Sequence, residues 1–253
     1  MLNINVDSVL DYLDSNELAR KYNVGEILKS VNIFKIKRVM VGGSGDDDIS
    51  GSSGNDLIWT GNGNNTVNSG TGNDFIIAGS GNDVISAGSG NDMIYGGDGD
   101  DYLDGGAGSD LLFAGAGNDI LVGGSSNDML GGGSGNDSLS GGEGTDILWG
   151  AAGTDILEGG LGSDYYLWGS ADGRDTIFGD SQDNVVLYNT KHDSFALSLS
   201  GDDLVVAYNS NNSITIDNWK DNTSATNLFT FAAEYGKSYK VTESSGQLSW
   251  TAV

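Results

Sequence analysis

One apolar side chain in every nine sets the pattern of this sequence. Counting from Gly42, the eighth residue of each nine is apolar in fourteen consecutive units, from Ile49, Ile58 and Val67 to Leu148, Leu157 and Tyr166. Around it the units repeat closely, as GGSGDDDIS, GSSGNDLIW, SGTGNDFII and GGAGSDLLF show. The fourth residue is Gly in thirteen units, with Ser126 the exception, and the sixth is Asp in thirteen, with Asn65 the exception. A fixed period of this kind marks a solenoid. Each unit predicts a tight turn over its first six residues and a short strand over its last three. Glycine supplies the positive-φ turn positions, and strand alternation points the eighth side chain into a narrow core. Two units make one eighteen-residue coil, so residues 42–167 predict a parallel β-helix of about seven coils, roughly 34 Å long at ~4.8 Å between paired strands.

The outward seventh and ninth positions differ between alternate units. Even-numbered units carry Leu57 and Trp59, Phe75 and Ile77, Met93 and Tyr95, Leu111 and Phe113, and Ile147 and Trp149. Odd-numbered units mostly carry polar pairs such as Asp48 and Ser50, Thr66 and Asn68, and Ser138 and Ser140. One sheet is therefore expected to be apolar on both faces, and a patch that large calls for a cover. Val6, Val9, Leu10 and Leu13 fall at helical spacing, as do Val24, Ile27, Leu28 and Val31. Residues 1–41 thus read as a helical segment with a lead-in strand from Phe34 to Val41. A helix of about 17 residues is about 25 Å long, which nearly matches the stack and makes it the expected cover. The other readings of this face are a dimer, or a sugar or surface ligand stacked on Trp59, Tyr95 and Trp149.

After the repeats, residues 168–180 read as a transition with turn signals. Strand-like runs follow at Val185–Tyr188, Phe195–Ser200, Leu204–Tyr208 and Ser213–Trp219, with Gly201-Asp202-Asp203 as a hairpin turn. Residues 168–220 are expected to form a β-rich cap over the open end of the solenoid. Residues 221–253 add strands near Leu228–Phe231, Tyr239–Thr242 and Leu248–Thr251.

Charge sharpens this picture. The formal net charge is −25, and residues 42–167 hold twenty Asp and Glu with no Lys, Arg or His. Such a block repels itself unless cations neutralise it. Nucleic acid is excluded as a partner, because no basic stripe exists to displace counterions. Without Cys there are neither disulfides nor thiolate metal sites. No run approaches the roughly 20 apolar residues that span a bilayer, and the N-terminus lacks the layout of a cleaved signal peptide.

Calcium binds six to eight oxygens, carboxylate and carbonyl alike, in flexible geometry. A Gly-rich turn ending in Asp offers that mixture, but one turn holds too few ligands, so a neighbouring coil must complete each site. Same-side turns lie two units apart. One side carries Asp47, Asp83, Asp101, Asp119, Asp137 and Asp155, and the other Asp56, Asp74, Asp92, Asp110, Asp128, Asp146 and Asp164. Seven turns on each side leave six gaps, hence about twelve ions, whose charge of about +24 matches that of the repeats. Asn65 is a neutral amide, so the sites that pair it with Asp47 and Asp83 are expected to be the weakest. An EF-hand is excluded near Asp98–Asp104, where no Glu stands at the twelfth loop position.

The in-frame G-G-x-G-x-D-x-U-x units resemble the RTX (repeats-in-toxin), or haemolysin-type, calcium-binding nonapeptide-repeat family. GDDLVVAYNSNNSITIDNWK (201–220) resembles the calcium-binding-related segment that follows such repeats. The resemblance implies a mainly β fold, a right-handed parallel β-roll. It also implies that carbonyls of the second and fourth positions join the Asp of one turn. Carbonyls of the first and third positions, with the Asp, come from the next turn on that side. Gly79, Gly81 and Asp83 would then share an ion with Gly96, Asp98 and Asp101. The same carry-over adds Gly88, Gly97, Gly106, Gly115, Gly124, Gly133 and Gly142 at second positions. At fourth positions it adds Gly90, Gly99, Gly108, Gly117, Gly135 and Gly144, with Gly105 at a first position. The resemblance further implies type I export through an uncleaved signal within Ala232–Val253, and folding on meeting extracellular calcium.

Two functions follow from different classes. One is a secreted calcium-dependent structural or interaction module. The other is the C-terminal portion of a larger toxin, protease, lipase or adhesin that binds a cell surface or polysaccharide. Ice binding would want a regular Thr row, whereas the third position varies widely. An enzyme within this chain is not expected. His192 is the only histidine, and no Ser, His and Asp set appears in a nucleophile context.

Overall fold

The computed structural model describes residues 36–180, 182–188, 194–217, 219, 228–231, 237–244 and 247–253. The expected helices over Val6–Leu13 and Val24–Val31 lie outside these residues, as does His192.

Among the described residues, strands form two sheets of twelve and eleven members. Even units build one sheet and odd units the other, and within the nonapeptide units each strand pairs in parallel with the one eighteen residues away. Thus Ile58, Ile76, Ile94 and Leu112 stack in register on one side, and Val67, Ile85, Leu103 and Leu121 on the other. These eighth-position side chains are buried between the sheets and form the core. The fold is the expected mainly β parallel solenoid.

The strands are longer than three residues. Phe75–Ser80, Val84–Ser89 and Met93–Asp98 each run from a seventh position to the third position of the next unit. In most rungs pairing omits only the first position: Val122 faces Ser140 and Gly124 faces Gly142, with Gly123 outside the register. The chain bends there and continues, so the turn proper is only the fourth to sixth residues. Glycine at the second position permits this, because a Cβ on Gly97 (φ 123°) would lie 1.9 Å from the Gly79 carbonyl oxygen of the adjacent coil.

The fourth position is equally demanding. Gly99, Gly117 and Gly135 have φ of 131°, 146° and 132°, and Ser126 is held at 85° in the same place. A side chain in this region costs about 1–2 kcal/mol. Ser126→Gly is therefore expected to stabilise the folded chain by about 1 kcal/mol. Urea unfolding in saturating calcium measures it, and an unchanged midpoint would mean the turn relaxes around Ser126.

The roll continues beyond Leu167. Arg174–Phe178 and Asn184–Tyr188 pair in parallel with Ile156–Gly162 and Tyr165–Gly169, which stacks Ile177 on Leu157 and Val185 on Tyr166. The solenoid therefore has about eight coils. Ser213–Ile216 and Leu228–Phe231 add one further parallel strand to each sheet. Antiparallel pairs then finish the two sheets at the same, C-terminal side of the stack, Ala196–Ser200 with Asp203–Ala207 and Lys237–Ser244 with Gln247–Ala252. Trp168, Phe195 and Tyr208 pack ring to ring beneath the first hairpin.

The outer faces differ as their composition does. Leu57, Met93 and Leu111 are buried on the even sheet, whereas Val84, Tyr102, Ile120 and Ile156 are exposed on the odd one. No helix among the described residues is long and apolar enough to cross a membrane.

Candidate metal centre

Each sixth-position Asp sits where the turn becomes strand, and its two oxygens have separate surroundings. One oxygen ties the coils together. Asp74 Oδ1 accepts from the Asp56 backbone N–H at 2.7 Å, and Asp92, Asp110, Asp128, Asp146 and Asp164 repeat the bond up the same edge. On the other edge Asp83, Asp101, Asp119, Asp137 and Asp155 do likewise. The second oxygen is buried and without a hydrogen-bond partner in all eleven, as is Oδ1 of Asp56. Asp47, at the start of its column, is only partly buried, and its Oδ2 accepts from Gly43 N–H at 2.7 Å. A buried ionised oxygen without a donor or cation costs several kcal/mol. Residues 42–167 supply no basic side chain to relieve it.

Burial pushes the carboxyls of Asp92, Asp101, Asp128 and Asp137 up to about 7, and those of Asp110 and Asp119 to about 6. The rung hydrogen bonds oppose this, and in each of the six a neighbouring carboxylate adds to it. A bound cation acts in the opposite direction and favours the charged form.

Carbonyl oxygens surround the same spaces. A Cβ on Gly123 would fall 2.6 Å from both Asp128 Oδ2 and the Gly141 carbonyl. Gly124 O and Ser126 O point towards that next turn, 2.1 and 2.0 Å from where Gly142 and Gly144 would carry a Cβ. The pattern recurs. Gly79 and Gly81 aim at Gly97 and Gly99, Gly88 and Gly90 at Gly106 and Gly108, and Gly97 and Gly99 at Gly115 and Gly117. Gly106 aims at Gly124, and Gly115 and Gly117 at Gly133 and Gly135. First-position glycines leave the room beside the carboxylate: a Cβ on Gly96 or Gly105 would sit 2.4 or 2.5 Å from Asp101 or Asp110 Oδ2. The Asp98 carbonyl, at a third position, accepts from Gly81 N–H at 2.8 Å.

Among the described residues no three His, Cys, Asp or Glu side chains converge. A cation here must therefore be completed by main-chain oxygens. Oxygen-only ligands suit a hard cation and not zinc or copper. The orphaned oxygens and glycine-lined cradles fit calcium.

Two column members escaped the nonapeptide frame. Asp175 Oδ1 accepts from Asp155 N–H at 3.0 Å, and Asp183 Oδ1 from Asp164 N–H at 2.9 Å. They stand twenty and nineteen residues after their partners instead of eighteen. Gly173-Arg174-Asp175-Thr176-Ile177 keeps the G-x-D-x-U core and carries a readable signal, whereas Asp183 has no fourth-position Gly before it. Fifth positions form a separate, exposed ladder: Asn82, Asn91 and Asn136 donate their N–H groups to Asn64, Asn73 and Asn118 Oδ1.

The aromatic row is not uniform. Trp59 is 36% exposed, while Trp149 Nε1 donates to Asp172 Oδ2 at 3.0 Å and to Tyr188 Oη at 3.2 Å. Tyr95 is half-buried.

A family model described as RTX calcium-binding nonapeptide repeat (4 copies) matches the chain repeatedly. The matched residues are 41–76, 68–103, 77–112, 95–130, 104–139, 131–166 and 170–189, more than half of its length. Among solved structures, the chain is similar to the crystal structure of extracellular lipase LipA from Serratia marcescens at 20% identity and a TM-score of 0.31. The match covers 71% of this chain and 37% of that one. The chain thus spans little more than a third of that lipase. No curated protein matches it significantly.

Proposed function

Because the chain belongs to the RTX calcium-binding nonapeptide-repeat family, we propose that it is a secreted, calcium-folded scaffold whose two edge columns hold the ions. The observation that carries this reading is the row of buried carboxylate oxygens without partners. Beside Gly96, Gly105, Gly123 and Gly141 that oxygen shares its space with a first-position carbonyl of the next same-edge turn. In Asp56 the oxygen so placed is Oδ2, which also accepts from Ser52 N–H at 2.9 Å. Asp56, Asp74, Asp92, Asp110, Asp128, Asp146 and Asp164 serve one edge, and Asp83, Asp101, Asp119, Asp137 and Asp155 the other. Carbonyls at first, second and fourth positions complete the shells. Occupancy again comes to about twelve ions, though not the same twelve. Asp175 and Asp183 add a gap to each column, while the gaps beside Asn65 drop out.

Export by a type I system through a signal in Ala232–Val253 accords with this chemistry. A chain that cannot fold at low calcium stays threadable until it meets about 10⁻⁴–10⁻³ M calcium outside the cell. The roll then acts as a structural and interaction module.

Equilibrium dialysis tests the ligand assignment. Asp92 and Asp110 together border three gaps, so Asp92→Ala with Asp110→Ala is expected to lose about three ions per chain. An undiminished count would overturn the assignment. A wild-type chain that binds no calcium at millimolar concentration would overturn the function.

A further inference from the structure

One rung of the columns is closed by the chain's own atoms. Asn65 stands where the other units have Asp and is 1% exposed. Its amide oxygen keeps the structural task, accepting from Asp47 N–H at 3.0 Å. Its other terminal atom behaves differently from the aspartates' second oxygen. The two N–H groups of Asn65 Nδ2 are shared among Gly63 O at 2.8 Å, Asp83 Oδ1 at 2.8 Å and Thr60 Oγ1 at 3.1 Å. The Thr60 hydroxyl passes the chain on to Ala78 O at 2.7 Å.

These partners are the groups that line a cradle elsewhere. Gly63 O is a fourth-position carbonyl, and Ala78 O is the first-position carbonyl of the next same-edge turn. Thr60, fully buried, fills the space that Gly96, Gly105 and Gly123 leave open beside their carboxylates. The hydroxyl alone does not close a site. Ser69 makes the equivalent bond to Ala87 O at 2.7 Å, yet Asp74 of the same turn still has an unpartnered Oδ2. The amide nitrogen makes the difference.

We infer that the gap between turns 60–65 and 78–83 takes no cation, and that Asn65 with Thr60 forms a hydrogen-bonded joint in its place. A cation there would face an N–H dipole of the wrong sign and carbonyls already engaged. It could not assemble the six to eight oxygens calcium requires. The joint also removes one negative charge between Asp47 and Asp83, so the coils at this end of the edge stack without a counterion. The calcium-dependent part of the column begins at Asp83. Of the two sites beside Asn65 that are expected to be the weakest, the one shared with Asp83 is thus shut and self-satisfied.

This inference rests on the calcium reading above, and the test separates the two. Bound calcium is counted by equilibrium dialysis on the full chain and on Asn65→Asp and Asn65→Ala, with circular dichroism confirming the fold. Asn65→Asp, which restores a carboxylate to both gaps beside residue 65, is expected to bind about one or two ions more than the wild type. Asn65→Ala is expected to bind the same number as the wild type. Its thermal midpoint in saturating calcium should fall by on the order of 5 °C, because Gly63 O loses its donor. An Asn65→Ala chain that loses an ion would show that Asn65 was a ligand and overturn the inference. An Asn65→Asp chain that folds but gains no ion would do the same. If Asn65→Asp fails to fold, the Asn65→Ala count decides alone. A wild type that binds no calcium would sink the function and this inference together.

Discussion

A chelator added to the calcium-loaded chain at about pH 7.5 is expected to abolish its β-type circular dichroism and expand it towards the dimensions of an unfolded chain. The magnitudes make this the largest effect predicted here. At a tenfold excess of calcium over Kd, one site that exists only in the folded state contributes about 1.4 kcal/mol. About twelve such sites contribute on the order of 17 kcal/mol, at least as much as the whole net stability of an ordinary domain. Removing the ions also returns the partnerless oxygens of both columns to an interior they cannot occupy as anions. The core does not compensate, since each nine-residue unit brings one large inward side chain. Refolding on calcium should be cooperative, because each ion bridges two coils and each coil contacts mainly its neighbours. Magnesium should fail to replace calcium, since it demands near-ideal octahedral geometry and gives up water reluctantly. Sedimentation velocity alongside circular dichroism measures both quantities. A compact, β-rich chain in chelator would show that packing alone holds the roll.

Much of this architecture is legible without coordinates because three constraints share one frame. Glycine is required where the coils touch, Asp where the turn meets the strand, and an apolar residue where the strand faces inward. The register Ile76 to Ile94 to Leu112 follows directly from the period. What escaped the sequence are the places where the period breaks but the three-dimensional stack does not. Asp175 and Asp183 lie out of frame because the connections before them differ in length, and a loop can absorb a residue or two without moving the strand it feeds. The strands are also longer than the period suggests, since Gly-rich segments read as turns even where they continue a ladder. Asn65 was visible as an exception. That its amide would find three acceptors depended on Thr60 and Gly63, whose side-chain and carbonyl directions no spacing rule supplies.

Acid is expected to do for the metal-free chain part of what calcium does at neutral pH. In the folded state burial raises the carboxyls of Asp92, Asp101, Asp128 and Asp137 to about 7, and of Asp110 and Asp119 to about 6, from 3.8. Between these values and 3.8 the folded chain binds more protons than the unfolded one, so stability rises as pH falls. Each such group contributes a slope of about 1.4 kcal/mol per pH unit. The contribution is complete below the unfolded value and disappears as pH rises through 6 to 7. This is the reverse of a salt-bridged Asp, which stabilises at high pH. In chelator, β structure absent at about pH 7.5 should therefore return as pH falls below 6 towards about 5. With calcium present, protons compete with the ions for the same oxygens, so the number of ions bound per chain should fall as pH falls below about 7. The metal-free chain should gain its fold over the same range in which the loaded chain gives up its calcium. Sedimentation is needed to separate folding from precipitation, given the isoelectric point of about 4.1. A monomeric metal-free chain still disordered at pH 5 would mean that neutralising the columns is not enough. The bridging geometry of the ion, beyond its charge, would then be what brings one coil onto the next.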